Sequence, residues 1–263
     1  VPHTPPEPTV AHPTPRPLTW YTPPAIAGRS LAPDLARGFM LLLIACANVS
    51  WYLFGRETTV YSPHPTDGGA LDHALRAVMA IAVDGRVYPM FAFLFGYGMV
   101  QFARARAGRG LPPQEIRRQL RRRHWFLLLF GFLHAALLFG GDILGAYGVT
   151  GLVLVAIFFN RSTRTLLTWA IVLLALVTVG SVAVVVLAWL LVGYVESDPA
   201  VAAEMAATDW TGGVELAMAA DTNYLASIGT RLSMWAFATP AMLLTLTIPA
   251  VVLLGWAAAR HGV

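Results

Sequence analysis

Hydrophobic residues fall along this chain in long unbroken blocks, not in the alternation of a strand or the one-sided stripe of a soluble helix. A block of about 18 or more nearly uncharged residues can cross a hydrocarbon core about 30 Å thick. A helix that is apolar on every side belongs in lipid, whereas a surface helix keeps a polar face. Such blocks stand at about 35–54, 86–103, 124–140, 143–159, 164–194 and 232–259. The expected fold is therefore all-α, a polytopic transmembrane helical bundle of six spans. The stretch "ALDHALRAVMAIAV" at 70–83 is mixed in polarity and predicts a short amphipathic helix at the interface. Residues 1–28 are proline-rich and predict a disordered tail. The first span lacks a small-residue cleavage pattern ahead of it and reads as a retained helix, not a signal peptide. The chain divides into that tail, a core at 29–160 with four spans and the interfacial helix, and a last part at 161–263. This last part has two further spans around an acidic loop at 195–230, where short helices are expected.

Charge orients the bundle. The chain has 263 residues, of which 57% are hydrophobic and 12% charged, and all 18 basic side chains are arginines. Cytoplasmic loops carry the excess of basic residues. With the N-terminus inside, 14 arginines fall on the cytoplasmic side, eight of them in "RARAGRGLPPQEIRRQLRRRH". Four (Arg56, Arg76, Arg86 and Arg231) fall outside with the acidic loop. Both termini are thus expected in the cytoplasm. Because arginine here tracks membrane sidedness, it does not indicate a nucleic-acid surface. The absence of lysine excludes Schiff-base and P-loop chemistry. No cluster has zinc-ligand spacing and no Gly-x-Ser-x-Gly elbow occurs. The single Cys46 lies within a span, so no intrachain disulfide forms.

Polar groups gather at the outer ends of the first four spans. They are Asn48, Ser50 and Trp51; then Asp72, His73 and Arg76; then Asp84, Arg86 and Tyr88 ahead of Pro89; then His134, Asp142 and Tyr147. Ionisable groups near the apolar slab cost about 2–3 kcal/mol on insertion scales and usually face a cavity or one another. Each also has a purely structural explanation. Asp142 follows Gly140 and Gly141 and starts a helix, so it can be a cap. His134 can bond a neighbouring carbonyl, Asp84 and Arg86 can satisfy each other, and His73 can be solvated beside Asp72. Asp34 and Arg37 can be a plain i, i+3 pair. Gly96 and Gly98 suit close helix packing.

The stretches "RSLAPDLARGFMLLLIACANV", "FAFLFGYGM" and "GFLHAALLFGGDILGAYGVTGLV" resemble the three signature stretches of the YeiB-like bacterial membrane proteins. The resemblance covers roughly 29–160, and the third stretch is the most specific. Ala32 and Pro33 are inserted relative to the commoner "SLD" spelling, which shifts the expected start of span one. Members usually continue through further spans, so the resemblance implies that the family's C-terminal half is lacking here. The layout is also similar to that of the transmembrane acyltransferases, which include heparan-α-glucosaminide N-acetyltransferase. Those proteins place a histidine ahead of an Asp…Phe-Pro-Trp-Phe helix start, and here His73 lies eleven residues before the Asp84 of "DGRVYPMF".

These resemblances imply a multi-pass protein of the bacterial plasma membrane that moves an acyl group from acyl-CoA to an envelope glycan or lipid. The donor's phosphates would lie on Arg117, Arg118, Arg121, Arg122 and Arg123, together with Arg104 and Arg106. His73 or His134 would take the acceptor proton. Asp72, Asp84 or Asp142 would orient the imidazole, and Arg86 or Tyr147 would stabilise the oxyanion. The analogy favours His73 as base, with His134 and Asp142 as a positioning pair. The same cluster also fits the substrate or proton site of a transporter or channel component, with a discontinuous helix at Asp84–Pro89. A structural membrane protein that docks partners through the acidic loop is a third reading, and the sequence leaves oligomerisation open.

Overall fold

The computed structural model describes residues 31–52, 58–59, 62–207 and 223–261. The tail expected to be disordered, at 1–28, and the middle of the acidic loop lie outside the described residues. Nine α-helices are described: α1 (Ala32–Asn48), α2 (Ala70–Ala82), α3 (Val87–Ala107), α4 (Pro113–Leu137), α5 (Leu144–Phe158), α6 (Thr163–Ser197), α7 (Pro199–Ala207), α8 (Tyr224–Leu244) and α9 (Thr247–His261). A 3₁₀ turn, Val49–Tyr52, extends α1, and a small antiparallel hairpin of β1 (Thr58–Thr59) and β2 (Ser62–Pro65) follows it.

Local chemistry sets the boundaries. Gly85, at φ 70°, separates α2 from α3 in a conformation that glycine adopts without a Cβ penalty. Prolines occupy the first turns of α1 and α4, where a missing N–H costs nothing. Ser162 caps α6 by accepting from the Thr165 N–H, and Asn223 caps α8 through Leu225 and Ala226.

The all-α expectation holds, but the span count comes out coarser. By length and composition, two described helical stretches can cross a membrane: 70–107 (α2 with α3) and α6. The bent pair α8–α9 makes three if it is one broken span. The reason is physical. Helices α1 and α5 have 17 and 15 residues, short of the about 20 that a span needs. Arg121, Arg122 and Arg123 shorten the apolar part of α4. The sixth expected span is also not continuous. It bends by 56° between α8 and α9, where Leu246 takes φ 63°.

Glycines set the packing. A Cβ on Gly96 would strike the carbonyl of Val252, and one on Gly255 would strike that of Phe93, so α3 and α9 meet backbone to backbone. Trp256, Met99, Val100 and Leu253 fill the core around this crossing. Helices α4 and α5 close in the same way at Gly131 and Gly148, against the backbones of Gly145 and Leu128, while Gly151 makes room for the buried His124 ring. Gly98 serves differently from its expected packing role: it makes room for the Arg37 guanidinium, 2.6 Å from where a Cβ would stand. Arg37 then ties α1 to α3, donating to the Leu94 carbonyl and Gln101 Oε1 while pairing with Asp34 at 2.9 Å.

The bundle has two chemically distinct ends. At one, arginines satisfy carbonyls at and just past helix ends: Arg117 donates to Ala156, Arg260 to Phe159 and to Arg161 in the following loop, and Arg104 to Arg260. The other end holds the turn between α4 and α5, and there Arg231 donates twice to the Ala136 carbonyl. Helix α6 packs on the core through Leu166 and Ala170 near its start, but most of its apolar length is exposed.

Candidate functional site

The bend between α4 and α5 seats one carboxylate among three donors. Asp142 Oδ2 accepts the N–H of Gly145, in the first turn of α5, at 2.8 Å, and the indole N–H of Trp235, from α8, at 3.0 Å. Asp142 Oδ1 lies 3.0 Å from His134 Nδ1. The carboxylate has no accessible side-chain surface, whereas the His134 side chain is 36% exposed. Two absent side chains make the notch. A Cβ on Gly131 would lie 2.6 Å from Asp142 Oδ2, and one on Gly145 would lie 2.7 Å from Trp235 Nε1. Capping and pairing are therefore not alternatives, because the two oxygens do both. Phe139 stands edge-on to the His134 ring at 6.4 Å. With Nδ1 held by the buried carboxylate, Nε2 is the ring atom left for chemistry, and no described residue bonds it. An imidazole oriented this way can exchange a proton with a bound hydroxyl or amine.

The other expected site residues lie elsewhere. His73 is exposed on α2 and bonds Arg76 at 2.9 Å, so the helix does not bring it to Asp84. Asp84 instead pairs with His64, Nε2 to Oδ2 at 2.7 Å, and the His64 side chain is only 11% exposed. Asp72 accepts the Gly69 N–H and holds the start of α2. Arg86 is exposed and donates to the Ala80 and Asp84 carbonyls. Tyr147 is buried against Phe91 and Phe95, and its hydroxyl donates to the Tyr88 carbonyl at 2.7 Å. That hydrogen is committed to joining α5 to α3 and does not face the dyad.

Among the arginines expected to hold donor phosphates, Arg117 is engaged with the Ala156 carbonyl, and Arg118 pairs with Glu115 while lining two grooves along α4. The Gln119 hydrogen bond lowers the Glu115 pKa; burial opposes it, and the Arg118 hydrogen bond and charge add to the lowering. Arg122 and Arg123 border a groove with Phe102 and Phe126, and Arg121 lines a second, smaller one beside Trp125.

Trp235 and His64 were not singled out in the sequence. The signal for Trp235 was indirect: a buried carboxylate has more acceptor positions than a helix cap and one histidine fill, and an indole is a donor that tolerates apolar surroundings. His64 had no comparable signal in its polar loop.

The fold and its exposed apolar surface suit an α-helical membrane protein, with two to three helices long and apolar enough to cross. The chain is similar to uncharacterised bacterial proteins. It is 34% identical over 110 residues to YxaH of Bacillus subtilis, covering 41% of this chain and 26% of that protein. It is 30% identical over 141 residues to a 39.9 kDa protein in the amylase 3′ region of Bacillus acidopullulyticus, covering 54% and 37%. It is 33% identical over 128 residues to YeiB of Escherichia coli, covering 48% and 30%. The chain thus spans only about a quarter to somewhat over a third of the relatives it matches. No family profile matches the chain, and no solved structure does.

Proposed function

We propose that this chain is part of a multi-pass plasma-membrane protein that transfers an acyl group to an acceptor at the outer face, with His134 as general base and Asp142 as its positioning partner. In this reading α3, α4, α6 and the α8–α9 pair cross the bilayer, as do α1 lengthened by its 3₁₀ turn and the short α5 together with the residues flanking it, with both termini in the cytoplasm. The gathering of arginines at one end of the bundle supports that orientation. The observation that carries the chemistry is the Asp142–His134 pair, a fully buried carboxylate on a half-exposed imidazole.

The acceptor hydroxyl or amine gives its proton to His134 Nε2 as its oxygen or nitrogen bonds the acyl carbon. The bond from that carbon to the donor's leaving group then breaks, and the imidazolium returns the proton to the leaving group. Asp142 stays ionised and stabilises the imidazolium between the two transfers. His73 has no part in this version, since it is bonded to Arg76 on the exposed face of α2.

The test uses proteoliposomes holding the chain, a radiolabelled acyl-CoA series as probe outside or inside, and an envelope extract as acceptor. Label moving into a glycan or lipid fraction with release of CoA supports the reading. Solute flux without any acyl donor would instead support transport, for which the α8–α9 break at Leu246 is the favouring observation, as a discontinuous span is a common feature of transporters.

A further inference from the structure

An open groove of about 840 Å³ lies between α3 and α4 at the arginine end. Its α4 wall is one helical stripe. Arg118 and Gln119, then Arg122 and Arg123, then Phe126 and Leu127, then Phe130 recur at three- and four-residue spacing. From Arg122 to Phe130 the wall changes from guanidinium to ring over about 12 Å of helix.

At its polar end Arg118 pairs with Glu115, which also lines the groove, but Arg122 and Arg123 lack counterions, as does Arg106 beside them. Asp34 pairs with Arg37, and among the described residues no carboxylate lies within ion-pair distance of Arg106, Arg122 or Arg123. These three lie on rings instead: Arg106 over Phe102 at 3.7 Å, Arg123 over Phe102 at 5.9 Å and Arg122 over Phe126 at 5.8 Å. Arg106 adds only the neutral Gln119 oxygen, at 3.4 Å. The surrounding protein and then repulsion from Arg37 and Arg106 lower the Arg123 pKa, although its side chain opens to solvent. Like charges brought together this way favour an anion among them. Beyond them Phe126 and Phe130 are 45% and 56% exposed, an apolar surface that a soluble phosphate would leave wet.

We propose that this groove binds an anionic phospholipid, its phosphate held by Arg122 and Arg123 with Arg106 reaching in from the edge at Phe102, and one acyl chain lying along Phe126, Leu127 and Phe130. The proposal rests on the membrane-embedded reading and is independent of the chemistry at His134. A basic pocket at the cytoplasmic headgroup level is where such a lipid is available.

The test is native mass spectrometry of the purified full chain in detergent, titrated separately with phosphatidic acid, phosphatidylcholine, inorganic phosphate and CoA. Phosphatidic acid is expected to bind at least about tenfold more tightly than phosphatidylcholine, and Arg106→Gln or Arg123→Gln to weaken it about tenfold each. Arg123→Lys should recover part of that loss, since it keeps the charge without the fork. Phe130→Ser should weaken phosphatidic acid and leave inorganic phosphate unchanged, whereas Arg109→Gln, outside the groove, should shift neither by more than about twofold. Should the arginine variants fail to fold, Phe130→Ser and the salt dependence of wild-type binding carry the test. Equal binding of the two lipids, or Arg123→Gln weakening CoA as much as it weakens phosphatidic acid, overturns the proposal. Carbonate extraction of membranes tests the embedding separately: release of the chain defeats that reading whatever the lipid result.

Discussion

Replacing Asp142 with alanine deprives three donors of one acceptor: the Gly145 N–H, the Trp235 indole and the His134 ring. Their costs differ. Losing a helix cap costs about 1 kcal/mol. Leaving a buried donor unpaired costs about 1–3 kcal/mol, and this falls mainly on Trp235. His134 is 36% exposed and can turn to water, so its share is small. The expected loss is about 2–4 kcal/mol, well above that of a cap alone. Asp142→Asn should cost less, about 1–2 kcal/mol, because the amide oxygen keeps one acceptor while its NH₂ faces a donor. The assay is SDS titration in mixed micelles followed by circular dichroism, with Trp235→Phe completing a double-mutant cycle. A coupling of about 1 kcal/mol or more is expected between Asp142 and Trp235. If Asp142→Ala costs no more than about 1 kcal/mol and the cycle shows no coupling, the carboxylate is only a cap and the reasoning fails.

Other outcomes follow from the packing and the helix ends. Gly255→Val drives a side chain into the Phe93 carbonyl and should destabilise the chain by at least about 3 kcal/mol in the same titration, whereas Gly180→Val, with open space around it, should change little. Leu246→Gly relieves a left-handed backbone at φ 63° and should stabilise by about 0.5–1 kcal/mol. Arg231→Met removes both donors to the Ala136 carbonyl at the end of α4, and hydrogen exchange in that last turn should rise about five- to thirtyfold, as expected for a loss of about 1–2 kcal/mol.

The hairpin of α4 and α5 was largely legible because its signals are local. Apolar blocks flank Gly140 and Gly141, and a carboxylate sits where a helix must start. The same holds for α2 and α3, divided at Gly85. The break between α8 and α9 was not legible. Its left-handed residue is a leucine, and the two prolines nearby mislead: Pro240 sits inside continuous α8, and Pro249 lies in the first turn of α9. The candidate site divides in the same way. His134 and Asp142 are eight residues apart, and a single turn joins them. Trp235 arrives from 93 residues away and His64 reaches Asp84 across 20, contacts that no local pattern encodes. The spacing of His73 to Asp84 does not appear as a contact, because α2 places Arg76 one turn after His73 and that near partner takes the ring.

The most direct measurement is the acyl-transfer rate of His134→Gln beside that of His73→Gln, in the same proteoliposomes and at equal amounts of folded protein. A general base contributes about 10²–10⁴-fold, so the account predicts a loss of at least about a hundredfold for His134→Gln and almost none for His73→Gln. An unimpaired His134→Gln, or the opposite ranking of the two variants, would contradict it.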